Sequence, residues 1–336
     1  MLEKVIVEEQ NFKGKNLAER TKAFFKQQSE SWEFAKRGYE SLGSVQVKEF
    51  EFDDYIIKVQ FNPGRITSTS AKVDEDSIKK RKCFLCYENL PEEQKGIPYF
   101  RDYMILVNPY PIFPEHFTIP KIDHVPQYLE GNFNGMLNLA RDIGEFYTVF
   151  YNGPGCGASA PDHMHFQAGL RNFMPIEKQR ETLLKKRKSL IYLNEDIKIH
   201  GVSGYPGKFF HIEGNDKKKV NEYFHKLYNI FLKLNGQSKE EPMMNVLCNY
   251  ENKKWRLIIF PRMKHRPDYF FKEGDAQLLI SPAAVDFGGV VITPREEDFD
   301  KLSKDMLIKI FRQVSISSEI FEYYKKEIPV SLVPDE

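Results

Sequence analysis

Between residues 16 and 42, Leu17, Phe24, Phe25, Trp32, Phe34 and Ala35 recur at helical spacing among polar residues. That pattern predicts one or two helices ending near Gly43. The period changes over residues 45–61, where Val47, Phe50, Phe52, Tyr55, Ile57 and Val59 flank Asp53-Asp54 and predict a hairpin. Residues 103–120 read as a buried strand, a Pro-rich connection and a second strand with His116 at its start. Residues 126–151 carry a helix pattern through Leu137, Leu139, Ala140, Ile143, Phe146 and Tyr147, and a Gly-rich turn then leads into a strand centred on residues 163–167. Past Gly169 the pattern restarts. Helices are predicted over 178–187 and 216–234, the latter with Val220, Tyr223, Phe224, Leu227 and Phe231 on one face. Paired strands follow at 246–250 and 255–261, a short apolar strand at 288–293, and helix from 299 almost to the end. The order of strands, loop, strand and helix occurs twice in outline, as in a degenerate tandem repeat.

Composition narrows the class. A chain of 336 residues, 41% hydrophobic and 29% charged, is an ordinary globular sequence long enough for one large domain or two medium ones. Its 49 basic and 48 acidic side chains nearly cancel, so electrostatic capture of a nucleic acid polymer is not expected. No apolar run is long enough to span a bilayer, which argues against a membrane partner. The acidic N-terminal stretch lacks the apolar core of a secretory leader. Four cysteines, two of them in Cys83-Phe84-Leu85-Cys86, suit a reducing compartment with a metal site better than a disulfide framework, so a cytoplasmic location is expected.

The candidate chemistry centres on His163-Met164-His165-Phe166-Gln167. In an extended segment side chains alternate faces, so His163, His165 and Gln167 project together with Met164 and Phe166 buried behind them. Two imidazoles and an amide in one row suit a site that handles phosphate: one His as nucleophile or base, another as ligand or orienter, the amide as donor. Upstream, the Pro63-Gly64 turn is followed by Arg65, several hydroxyls and Lys72, a loop able to grip an anion. The C-x2-C knuckle is half a zinc site and requires two more ligands.

Taken in order, C-x2-C, a strand entering N-P-x-P, P-x-H-F-x-I-P-K-x-x-H, Asn152 before a Gly turn, and H-x-H-x-Q resemble the histidine-triad superfamily in its transferase branch. That branch holds the galactose-1-phosphate uridylyltransferases, the diadenosine tetraphosphate phosphorylases (ATP adenylyltransferases) and the GDP-hexose phosphorylases. The resemblance is close over residues 61–169 and looser over 246–294. It implies an α+β fold in which tandem halves share or abut antiparallel sheets flanked by helices. The division it suggests is an N-terminal helical extension (1–44), a catalytic half (45–195) and a degenerate second half (196–336).

Carried over residue by residue, the resemblance makes His165 the nucleophile, with Gln167 holding phosphoryl oxygens where hydrolytic members carry a third His. Ser159 and Gly157 become phosphate-contacting positions, Asn152 an orienting or phosphate-contacting residue, and Asn108 a ribose-binding one. Cys83, Cys86, His124 and His163 become the ligands of a structural Zn2+, with His116 as a competing fourth ligand. Arg65 and Lys72 become candidates to clamp phosphate. Arg262, Lys264, His265 and Arg266 of the second half are candidate binding residues. The implied activity is a nucleotidyltransferase or phosphorylase that passes the nucleotide of a dinucleoside polyphosphate or nucleotide sugar through His165 to phosphate or a sugar phosphate. A hydrolase and a non-catalytic nucleotide-binding protein are the alternatives. A monomer or homodimer fits either way.

Overall fold

The structure, a computed structural model, describes Ile6, residues 15–234 and residues 241–332. Apart from Ile6, the N-terminal stretch read above against a leader lies outside the described residues. The strands are β1 (Gln46–Glu51), β2 (Ile56–Phe61), β3 (Gly96–Tyr99), β4 (Tyr103–Val107), β5 (His116–Pro120), β6 (Tyr147–Asn152), β7 (His165–Leu170), β8 (Lys188–Leu193), β9 (Ile197–Val202), β10 (Phe209–Gly214), β11 (Met244–Glu251), β12 (Lys254–Pro261) and β13 (Val290–Thr293). The helices are α1 (Leu17–Ser31), α2 (Glu33–Ser41), α3 (Ile66–Thr69), α4 (Glu75–Lys80), α5 (Phe133–Ile143), α6 (Pro175–Arg187), α7 (Lys217–Leu234), α8 (Ala284–Phe287), α9 (Glu296–Lys301), α10 (Lys304–Val314) and α11 (Ser318–Leu332).

Ten strands form one antiparallel sheet in the order β3-β4-β5-β7-β6-β11-β12-β10-β9-β8. Read from either edge the sequence of elements is the same: three strands, a helix, then a pair that inserts in reverse order. Each half is one copy of this unit, with α5 in the first and α7 in the second, and the copies meet where β6 pairs antiparallel with β11. The α+β fold with tandem halves is therefore present. A second sheet, β1-β2-β13, lies apart from it, with β13 parallel to β2.

The large sheet is covered on both faces. Phe117, Phe166, Val149, Val246, Leu257 and Phe210 belong to one buried cluster, into which α5 and α7 pack. Their strand neighbours Phe150, Leu247, Ile258, Phe260 and Phe209 belong to another, with α6, α8 and α10. Phe133 of α5 stacks on Phe224 of α7 at 3.7 Å between ring centres, which ties the two copies together on the first face.

The N-terminal helices form as expected and break at Trp32, whose backbone is extended. Asn16 and Glu19 close a capping box on α1. Three readings need correction. The helix pattern over residues 126–151 is helical only in α5; Tyr147–Asn152 is strand β6, because its aromatic and β-branched run is buried on both sides in the middle of the sheet. The strand of the H-x-H-x-Q motif begins at His165 and not at His163. The helical stretch from 299 divides into α9, α10 and α11, with non-helical backbone at Leu302 and Ser315. Strands β3, β8, β9 and β10 were not foreseen; β8 is an outer strand whose Leu190 and Leu193 are exposed, so its apolar run Leu190–Leu193 shows no alternation.

Under β6 and β7 the buried Gln127 side chain accepts from the His165 backbone N–H (2.7 Å) and donates to the carbonyls of Asn152 and His165 (3.0 Å each). Its own carbonyl accepts from the Tyr151 hydroxyl, which also meets the Glu241 carboxyl. Burial, outweighing the hydrogen bonds from Tyr151 and the Leu129 N–H, raises the Glu241 carboxyl from its ordinary 4.5 to about 7. The folded chain thus keeps a proton that the unfolded chain releases between those values. Glu241's contribution is full below about pH 4.5 and is lost as pH rises through about 7, on the order of 3 kcal/mol in all. Glu241→Gln, which mimics the protonated form, is expected to flatten the fall in stability between about pH 5 and about pH 8 measured by urea unfolding. An unchanged pH slope contradicts this assignment.

Candidate active site and metal cluster

Sheet pairing brings the H-x-H-x-Q strand against β5 on one side and β6 on the other, with Thr118 and Phe150 opposite Gln167. Met164 and Phe166 are fully buried, as the alternation requires. The polar residues of the motif then separate by task.

His163 turns to the knuckle. Its Nδ1 lies 3.2 Å from Cys83 Sγ and 3.6 Å from Cys86 Sγ, and His124 Nδ1 lies 3.1 Å from Cys86 Sγ. One ligand atom from each of these four residues falls within 4.8 Å of all the others. Around a tetrahedral ion with ordinary sulfur and nitrogen bond lengths, such atoms stand about 3.6 Å apart, so the cluster is the size of a metal site. The ring orientation agrees, since His163 Nε2 donates to the Lys121 carbonyl (2.7 Å) and leaves Nδ1 free as a ligand. The thiols agree as well. Burial raises both, but the His163 contact and backbone N–H groups hold Cys83 down at about 6, while burial and the Cys83 charge push Cys86 up to about 12. A bound cation is what lets both ionise together. His116, the competing ligand, stands elsewhere, against Gln167.

His165 takes the other direction, into a cavity of about 660 Å³. Its Nδ1–H donates to the His163 carbonyl (2.8 Å), which fixes the tautomer and leaves Nε2 with a lone pair and no protein partner among the described residues. Burial lowers its pKa to about 4, so the ring is neutral at neutral pH. Gln167, Ser159, Asn108, Arg65 and Lys72 line the same cavity. A small polar annex of about 60 Å³ continues from it past Gln167, Ser159 and Arg65 to Asn152, Gly157 and Asp286.

Each lining group has a defined donor or acceptor face. Asn152 Oδ1 accepts from Asn245 and from the Ala284 N–H (2.8 Å each), so its amide nitrogen remains for the annex. Asn152 does not touch the His165 ring; it is joined to that strand through Gln127. Asn108 uses its amide on Thr118 (3.0 Å) and its Oδ1 on the Tyr110 N–H (2.9 Å), which shapes the cavity wall. Arg65 donates to the Tyr110 carbonyl, and its buried Nε has no protein partner. Burial lowers its pKa only to about 10, so it remains a cation. The Ser159 hydroxyl also lacks a partner among the described residues. Gly157 holds φ +99°, and a Cβ there would meet Ala283 Cβ at 2.6 Å, so the turn requires glycine.

The second-half candidates lie outside the cavity lining. Lys264 is half exposed and paired with Asp268. Arg266 reaches the Thr69 and Ala71 carbonyls (3.4 and 2.9 Å) and so pins the loop that carries Lys72. Arg262 is a buried strut from Asn245 to the Pro282 and Val314 carbonyls, and it holds the His265 carbonyl. Sequence reasoning missed the aromatic wall of the cavity. Phe34 and Phe84 are 49% and 48% exposed and line it with Trp32 and Tyr110. Trp32 and Phe34 sit at the α1–α2 break; Trp32 is buried in the core at the cavity's edge, while Phe34 turns outward.

Residues 24–170 match a family described as Domain of unknown function (DUF4922), and residues 179–332 match GDPGP1-like, C-terminal domain. No curated protein sequence matches the chain. Among solved structures, yeast Ap4A phosphorylase Apa2 superposes with a TM-score of 0.56 at 18% identity, covering 84% of this chain and 93% of that one. Its complex with AMP gives 0.54 at 17% identity over 84% and 97%. Its complex with Ap4A gives 0.53 at 17% identity over 87% and 97%. The chain thus shares the α+β fold of yeast Ap4A phosphorylase Apa2 over most of both lengths. No helix among the described residues is long and apolar enough to cross a membrane.

Cys83→Ser removes one of four converging ligands. The purified variant is expected to lose bound metal by elemental analysis and to melt several degrees lower, the two changes appearing together. Wild-type protein that purifies without metal, together with an unchanged melting temperature in the variant, contradicts the cluster's role.

Proposed function

We propose that this protein is a nucleotidyl-transferring phosphorylase acting on an α–β phosphoanhydride, in a dinucleoside polyphosphate or a nucleoside diphosphate hexose. The observation that carries the reading is the neutral His165 ring, held by the His163 carbonyl with its free Nε2 facing the cavity beside Gln167. The Nε2 lone pair attacks the α-phosphorus, a P–N bond forms, and the α–β P–O bond breaks with its electron pair leaving on the departing phosphate. An oxygen of inorganic phosphate, or of a sugar phosphate, then attacks the same phosphorus and the P–N electron pair returns to His165. Gln167 and Ser159 supply donors to the phosphoryl oxygens, while Arg65 and Lys72 balance the charge of the leaving and entering phosphates. Asn152 and the Gly157 turn border that second position.

Gln167 gives this site an amide beside the nucleophile where an imidazole would relay a proton to water, which favours transfer over hydrolysis. Two thiols and two imidazoles fit Zn2+, which Cys83, Cys86, His124 and His163 would hold as a structural ion tying the knuckle to the entrance of β7. His165 lies outside that ligand set. The catalytic half runs from residue 45 to the end of α6, the second half begins at β8 (Lys188–Leu193), the first strand of the second copy, and completes the sheet, and α1 with α2 precede them as a helical extension. The likeness to an Ap4A phosphorylase and the GDPGP1-like domain support the two donor classes respectively.

Intact-protein mass spectrometry tests the reading. Brief incubation with diadenosine tetraphosphate or GDP-glucose, without phosphate, is expected to add one nucleotide to wild type with at least one donor. The adduct disappears when phosphate is added and never forms on His165→Ala, which keeps its fold. Turnover by His165→Ala, or product release without phosphate, overturns it.

A further inference from the structure

His116 belongs neither to the metal cluster nor to the cavity lining, yet it is completely buried at the start of β5. The backbone N–H of Ile112 points at its Nδ1 (3.3 Å), and its Nε2 lies 2.9 Å from Gln167 Oε1. A ring that accepts at Nδ1 carries its proton on Nε2, so Nε2–H donates to the amide oxygen. The Gln167 oxygen is thereby taken, and the amide nitrogen, with no protein partner among the described residues, faces the cavity that His165 also lines. Phe113 and Phe150 flank the imidazole at 5.1 and 6.0 Å between ring centres, and the Tyr39 hydroxyl of α2 reaches the His116 carbonyl (2.9 Å). Both ring and strand are held in place. Burial also keeps this imidazole neutral, its pKa lowered to about 3.

We propose that His116 is a positioning residue that sets the orientation of the Gln167 amide, so that the site presents two N–H donors, and not a carbonyl oxygen, to the phosphoryl group. An amide side chain can otherwise turn over, and its oxygen would then face a group carrying negative charge. The Ile112 N–H fixes the tautomer and His116 fixes the amide. This deepens the function proposed above and rests on it for its kinetic consequence, but the relay itself exists without substrate.

The test has two arms. In full-length protein labelled with 15N-histidine, the imidazole that disappears in His116→Gln is expected to be the Nε2–H tautomer; an Nδ1–H tautomer or an imidazolium overturns the relay whatever the activity. In the kinetic arm, the rate of adduct formation is read by intact mass with GDP-glucose or diadenosine tetraphosphate. His116→Phe is expected to lose on the order of 10²-fold in rate, with little change in the donor concentration for half-maximal rate. His116→Gln, whose amide can donate from the Nε2 position, recovers most of it. In a Gln167→Ala background His116→Phe causes no further loss. Equal losses with and without Gln167, or no rescue by His116→Gln in a folded protein, overturn the proposal. If wild type forms no adduct with either donor, the proposed function fails while the tautomer still decides the relay.

Discussion

Burying a polar group without a partner costs free energy, and strand β7 is buried on both faces. That constraint organises the site. The backbone around His165 is satisfied by Gln127, the His165 Nδ1–H by the His163 carbonyl, His163 by Lys121 and the thiols, and the Gln167 oxygen by His116. What remains unpaired is the His165 Nε2 lone pair and the Gln167 amide nitrogen, and both belong to the cavity wall. A nucleophile and a donor are left over, side by side, because the other polar groups of that strand segment are matched, and the unpaired Ser159 hydroxyl and Arg65 Nε lie in the same cavity wall. Their geometry costs no reorganisation when a phosphoryl group arrives, which is the condition under which fixed dipoles stabilise a transition state most.

The same sheet shows what happens where that constraint is met with hydrocarbon. One cross-strand row runs from Thr118 and Gln167 through Phe150 and Leu247 to Ile258. In the first copy the row opens on the cavity. In the second it lies under α6, α8 and α10, with Ile258, Phe260 and Phe209 in a closed core. The second copy therefore works as support: β11 braces β6, and Asn245 with Arg262 fixes Asn152. Arg266 acts in the same sense, through the loop after Arg65.

Much of this was legible in the chain. Alternation across Met164 and Phe166 placed the motif on a buried strand, and the ordered short motifs located the cysteine cluster. The edges were harder to read. Tyr147–Asn152 joined a helix because its neighbours shared the same apolar density, and β8 carries too many exposed positions to alternate cleanly. Roles carried between distant segments were not visible either. Nothing local to Gln127, Glu241 or His116 announces their partners His165, Tyr151 and Gln167, on β7, β6 and β7, 38 to 90 residues away in sequence. Exposed aromatics such as Phe34 look like core until the helix break at Trp32 turns them outward.

The central claim is that the nucleotide passes through a covalent bond to His165, and the configuration at the α-phosphorus tests it most directly. A donor carrying a single sulfur-substituted diastereomer at that phosphorus is converted with phosphate, and the product's configuration is read by phosphorus NMR. Two in-line displacements predict net retention. Inversion would mean that phosphate attacks the donor directly, and His165 would then be a base or a binding residue and not the carrier.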